Sequence, residues 1–96
     1  MGKTVLITGG SRGIGEAMVR LFAERGWTVL FTFVSHAAAA HKVATEAGAR
    51  AIRCDSGSED DILALFAQLD GEGIVLDALI NNAGVSGPRR RAVEVT

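Results

Sequence analysis

Apolar and polar positions along this chain alternate between two periods, one of strands and one of helices. Val5-Leu6-Ile7, bounded by Thr4 and Thr8, is the short apolar run of a strand covered on both faces. From about Gly13 to Arg25 the spacing is helical: Ile14, Ala17, Met18, Leu21 and Phe22 share one face, and Gly26 supplies a stop. Trp27 to Val34, rich in β-branched and aromatic residues, predicts a second strand. An alanine-rich helix from Ala37 to Ala47 ends at Gly48. Arg50 to Cys54 predicts a short third strand with Asp55-Ser56-Gly57 as its exit loop. Ser58-Glu59-Asp60-Asp61 reads as a capping box, with acidic residues in the first turn of a third helix. That helix turns Ile62, Leu63, Leu65, Phe66 and Leu69 to the core. Gly71-Glu72-Gly73 breaks it, and Ile74 to Ile80 predicts a fourth strand that ends in Asn81-Asn82-Ala83-Gly84.

The resulting βαβαβαβ order requires a parallel sheet with helices on both faces. Strand order 3-2-1-4 is the expected arrangement, with a topological switch between strands one and four. Ligands of such α/β sheets bind at the carboxyl ends of the strands. Three segments are expected there: the turn after Thr8, Asp55, and Asn81 to Gly84.

The turn after strand one carries the strongest chemical signal. Thr8-Gly9-Gly10-Ser11-Arg12-Gly13-Ile14-Gly15 joins a buried strand to a helix start. Glycines there let the backbone approach a ligand without an intervening Cβ. The free amides and dipole of the helix N-terminus attract an anion such as pyrophosphate. Ser11 and Arg12 are either ordinary polar turn residues or a hydroxyl donor and a cation for phosphate.

Composition narrows the picture. At 48% hydrophobic and 22% charged residues, the 96-residue chain is one small globular α/β domain and not a disordered segment. A net charge of −1 gives no reason to expect nucleic-acid or membrane binding. No apolar run approaches a membrane span, and Met1 to Thr4 leads straight into the first strand without room for a signal peptide. The single cysteine, Cys54, excludes an internal disulfide and fits a cytoplasmic location; it reads as a small buried hydrophobe. His36 and His41 lack partners at metal-ligand spacing and read as solvated, so no metal site is assigned. Arg89-Arg90-Arg91 reads as a solvated loop.

Taken together, these segments resemble the short-chain dehydrogenase/reductase family. The family's Thr-Gly-x-x-x-Gly-x-Gly motif stands here as Thr8 to Gly15, its Asn-Asn-Ala-Gly motif as Asn81 to Gly84, and its acidic residue after strand three as Asp55. The resemblance implies a Rossmann-type sheet and an NAD(P)-dependent oxidoreductase that moves hydride between nicotinamide and a carbonyl or alcohol carbon. It implies cofactor contacts from Gly9, Ser11, Arg12, Gly13, Ile14 and Gly15. It further assigns Asp55, with Ser56 beside it, to the adenine amino group, and Asn82, Ala83 and Gly84 to the ribose side. The alternative for Asp55 is a turn or helix-cap acceptor, but its place at a strand exit beside the crevice favours adenine binding. Phe33, Val34, Ser35 and His36 at the end of strand two include no carboxylate for a ribose 2′-OH, and Arg12 is near enough to meet a 2′-phosphate. NADP(H) is therefore expected over NAD(H).

The family's catalytic Ser, Tyr, Lys and Asn lie downstream of the position matching Gly84. These 96 residues contain no tyrosine, and Lys3 and Lys42 lie before strand one and on the second helix. No catalytic residue is assigned. The expectation is a truncated, partial Rossmann domain, inactive by itself, from a longer enzyme for which a homo-oligomer is one open arrangement. The alternative is a stand-alone nucleotide-binding or regulatory module without catalysis. A flavodoxin-like phosphate-binding domain shares the alternation but accounts poorly for Asn81 to Gly84. Strand four is expected to leave an unpaired edge and apolar surface around Ile74, Val75, Leu76, Leu79 and Ile80.

Overall fold

A computed structural model describes residues 2–10, 13–55 and 57–82. Seven elements follow in the order β1 (Thr4–Thr8), α1 (Gly13–Glu24), β2 (Thr28–Phe33), α2 (Ala37–Ala47), β3 (Arg50–Arg53), α3 (Glu59–Gly71) and β4 (Ala78–Asn81). The strands form one parallel sheet ordered β3-β2-β1-β4, as the alternating pattern requires. This is a partial Rossmann-like α/β fold. Among the described residues no helix is long and apolar enough to cross a membrane.

The pleat divides the core into two layers. Val5, Ile7, Val29, Phe31, Phe33, Ala78 and Ile80 meet Val19 of α1 and Ala40 and Val43 of α2. The intervening positions, Leu6 and Leu30, meet Cys54 and Leu65 and Leu69 of α3 on the other face. Arg20 ties α1 to α2, reaching Glu16 at 2.9 Å and Glu46 at 2.8 Å. Arg50 grips Glu72 through two bonds, at 2.7 and 3.1 Å, and so joins the start of β3 to the end of α3. That bidentate partner holds the Glu72 carboxyl at about 2.

Several expected details are corrected. The buried face of α1 is rotated from the expected one: Gly15 and Val19 are buried and Met18, Phe22 and Ala23 pack beside them, whereas Ile14 is 73% exposed and Ala17 and Leu21 are also exposed. Gly15 lies against the Gly9 carbonyl and the Asn82 side chain, just beyond β1 and β4, and Val19 one turn on meets the sheet itself. On α3, Leu65 and Leu69 are buried and Ile62 is half-buried, but Leu63 is 60% exposed and Phe66 lies open. Strand four is shorter than Ile74 to Ile80. The Ile74 amide is used on the Leu69 carbonyl at 2.9 Å, closing α3, and pairing with β1 starts only where Asp77 brackets Thr4. There the Asp77 amide donates to the Thr4 carbonyl at 2.7 Å, and its carboxylate accepts from the Thr4 amide at 2.8 Å.

β4 pairs with β1 alone among the described residues, as expected of an edge. Ile80 departs from expectation by being buried under the α1 side of the sheet. The open apolar surface lies on the α3 side instead. A groove of about 500 Å³ there is lined by Phe66, Leu69, Ile74 and Leu76.

Candidate functional site

The carboxyl end of β1 is where the chain changes from ladder to turn. Gly9 has φ of 72° and Gly13, the first residue of α1, has φ of 66°, both in the left-handed region that a Cβ disfavours. Neighbouring strands fix the turn between them. From β2, the Thr32 hydroxyl accepts from the Gly9 amide at 3.0 Å, and the Thr32 carbonyl accepts from the Gly10 amide at 3.1 Å. From the end of β4, the Asn82 side-chain amide donates to the Gly9 carbonyl at 3.1 Å. The Thr8 hydroxyl joins the same junction, donating to Asn81 Oδ1 at 3.1 Å and accepting from the Asn82 amide at 2.9 Å.

Two glycines are required by close packing. A Cβ on Gly15 would collide with the Gly9 carbonyl oxygen and lie 2.8 Å from the Asn82 amide nitrogen. A Cβ on Gly10 would lie 2.7 Å from both Phe31 Cβ and Val19 Cγ2. Gly13 is the opposite case: nothing lies within 4 Å of the place a Cβ would take. The first turn of α1 thus presents open backbone near Gly9 and Gly10, whose amides are already bonded. Helix geometry leaves the first amides of α1 without intrahelical partners. Residues in this arrangement fit a pyrophosphate: open glycine backbone, a helix N-terminus, and no carboxylate among the described residues of the turn.

Of the residues expected at the site, Gly9, Gly15 and Asn82 are brought into one cluster, with Gly13 and Ile14 adjoining it on α1. Asp55 stands apart, beyond β3 and two strands from β1. Its carboxylate accepts from the Gly57 amide at 2.9 Å and its carbonyl accepts from Ser58 at 2.8 Å. Its own amide donates to the Asp61 carboxylate at 2.9 Å. The turn-forming role of Asp55 is therefore visible. Ser58 caps α3, accepting from the Asp61 amide at 3.2 Å, but the reciprocal half of the capping box is diverted, since the Asp61 carboxylate serves Asp55. Ser11, Arg12, Ser56, Ala83 and Gly84 lie outside the described residues, as do Arg89 to Arg91.

Three contributors escaped the sequence reading. Thr32 is the only polar residue in the interior of β2, a signal that was available. Thr8 belonged to the motif without a role, and Gly10 was indistinguishable in sequence from a flexible loop glycine. Cys54, beside Asp55, is buried as expected, and burial pushes its thiol up. Among the described residues no group of His, Cys, Asp and Glu is placed to hold a metal ion.

Known proteins resemble this chain in sequence and in fold. The chain is 44% identical over 94 residues to the sex determination protein tasselseed-2 of Zea mays, covering 95% of this chain and 28% of that protein. It is 44% identical over 84 residues to a cyclic-di-GMP-binding biofilm dispersal mediator protein of Escherichia coli, covering 88% and 34%. Among solved structures, BdcA in complex with NADPH superposes with a TM-score of 0.78 at 44% identity, over 88% of this chain and 33% of that one. A short-chain dehydrogenase/reductase from Serratia marcescens gives 0.80 at 35% identity, over 96% and 41%. The chain spans about a third of the length of the curated relatives it matches. The family model for short chain dehydrogenases matches residues 3–95, nearly the whole sequence, and the chain belongs to that family.

Proposed function

We propose that this chain is the nucleotide-binding portion of an NADP(H)-dependent oxidoreductase, part of a single larger domain and acting in the cytoplasm. The observation that carries the reading is the open backbone at Gly13, set at the start of α1 beside a turn that β2 and β4 hold in place. In this reading the amides of Gly13, Ile14 and Gly15 bind pyrophosphate, Ser11 and Arg12 contact the phosphates, and Arg12 meets the 2′-phosphate. Asp55 and Ser56 flank the adenine, while Asn82, Ala83 and Gly84 border the ribose. The cofactor supplies the hydride exchanged with a carbonyl or alcohol carbon. Ile14, exposed in the first turn of α1, offers the cofactor an apolar contact. Support comes from the NADPH-bound relative and from the absence of a carboxylate in Phe33-Val34-Ser35-His36.

A second reading, nucleotide binding without catalysis, is favoured by the lack of any tyrosine in the 96 residues and by the E. coli relative named for binding cyclic di-GMP. Positioned general acids typically contribute about 10²–10⁴-fold to a rate, and the described residues offer none beside the turn. Titration of the purified chain with NADPH, NADH and cyclic di-GMP, followed by NADPH oxidation with a panel of ketones and aldehydes, separates the readings. Tighter binding of NADPH than NADH, without turnover, is expected of the chain alone. Equal affinities overturn the NADP(H) preference. Turnover abolished by Gly13→Asp overturns the view that the chain lacks its catalytic groups.

A further inference from the structure

We propose that Thr32 is a positioning residue for pyrophosphate, a role that rests on the nucleotide reading above. It holds the Gly9 peptide and so reserves the amides at the start of α1 for the ligand. Thr32 is 1% exposed and sits between Phe31 and Phe33 in a strand whose other interior residues, Val29 and Leu30, are also apolar. A buried hydroxyl is costly unless it is bonded. This one accepts from the Gly9 amide, and the backbone carbonyl of the same residue accepts from the next amide, Gly10. One residue of β2 therefore takes two consecutive donors of the turn, while Gly9's positive φ swings the chain between them. Asn82 holds the Gly9 carbonyl from the opposite side.

The consequence is a division of labour along the turn. Gly9 and Gly10 have given their amides to β2 and do not donate to an anion. Among the described residues the donors that remain belong to Gly13, Ile14 and Gly15, and their direction depends on how firmly Gly9 is held. Valine has nearly the volume of threonine but no acceptor. At position 32 it leaves the Gly9 amide without its partner and lets that peptide rotate, without emptying the core.

The test uses the whole chain with Thr32→Val and Thr32→Ser. Amide exchange at Gly9 in the ligand-free protein reports the bond itself. Affinity for NADPH, against that for 2′-AMP, which lacks the pyrophosphate, reports its consequence. Thr32→Val is expected to speed Gly9 exchange, to weaken NADPH on the order of tenfold, and to leave 2′-AMP unchanged. Thr32→Ser is expected to restore both. If Thr32→Val does not fold, Thr32→Ser against Thr32→Ala compares presence and loss of the hydroxyl with both lacking the threonine methyl, and the same outcomes apply. Unchanged NADPH affinity in a folded variant, or equal loss for both nucleotides, overturns the proposal while leaving the cofactor reading intact. Unaltered Gly9 exchange overturns it without reference to any ligand. A wild-type chain that binds neither nucleotide overturns the cofactor reading and this role together.

Discussion

The Asn82 side-chain amide donates to the Gly9 carbonyl at 3.1 Å, across 73 residues of chain. Gly15 lies against the same pair, so the start of α1, the end of β1 and the end of β4 meet at one point. The contact requires a residue without a side chain on the helix and an amide donor beyond β4.

Gly15→Ala is expected to be the most damaging single methyl in the turn. Its Cβ meets backbone oxygen, which cannot swing aside, so α1 must lift or the Asn82 bond must break. Overpacking typically costs about 1–3 kcal/mol, and the lost bond adds to it. Denaturant unfolding should show the destabilisation, and NADPH titration should show affinity falling with it.

Gly10→Ala tests packing with no amide of α1 involved. The new methyl would press on Phe31 and Val19, both fully buried, at a cost of about 1–3 kcal/mol. Gly71→Ala is the control. At the last position of α3 nothing lies within 4 Å of the new methyl, and a gain of about 0.4–1 kcal/mol is expected from the less flexible unfolded chain. Opposite signs for these two substitutions, read from denaturant midpoints, are the result to look for.

The contrast shows what sequence made legible and what it did not. Period and glycine placement in Val5 to Gly15 predicted strand, turn and helix, because a buried parallel strand and a glycine-rich strand-to-helix turn each leave a local signature. The rotation of α1 was not legible. Ile14 and Leu21 look like core residues to any periodicity argument, yet the buried positions of α1 are Gly15 and Val19, and Gly15 lies where a Cβ would strike the Gly9 carbonyl. Nor did spacing reveal that Asp55 bonds inside its own loop, since its place at a strand exit favoured a ligand and the same residue type also serves a turn. The Thr32 bond joins residues that only the pairing of β1 with β2 brings together.

Acid should loosen the junction of β3 with α3 at a defined point. Arg50 holds the Glu72 carboxyl at about 2, below its ordinary 4.5, so this contribution to stability is complete above about 4.5 and is lost as pH falls through about 2. The pair is exposed and therefore sensitive to salt. Wild type and Glu72→Gln should differ in stability at neutral pH and low salt and converge near pH 2; a constant gap across that window contradicts the assignment.

Cys54 should report opening of the α3 side. It is buried among Leu6, Leu30, Leu65 and Leu69, and burial raises its thiol, which disfavours the reactive thiolate. Labelling with an aromatic disulfide reagent is expected to be slow in the native protein and fast in denaturant. Rapid labelling under native conditions would show α3 detaching without global unfolding.

β1 is the strand both neighbours need, and its partners come from far along the chain: Val5 pairs with Val29 on one side and Ala78 on the other. Long loops must close before either ladder forms, and such closures are paid in chain entropy before contacts return it. The turn at Gly9, written first, is complete only when Asn82 has come from the far end of the described chain to bond the Gly9 carbonyl. On the nucleotide reading proposed above, affinity measured during refolding is expected to follow docking of β4 and to lag behind the β1–β2 pair.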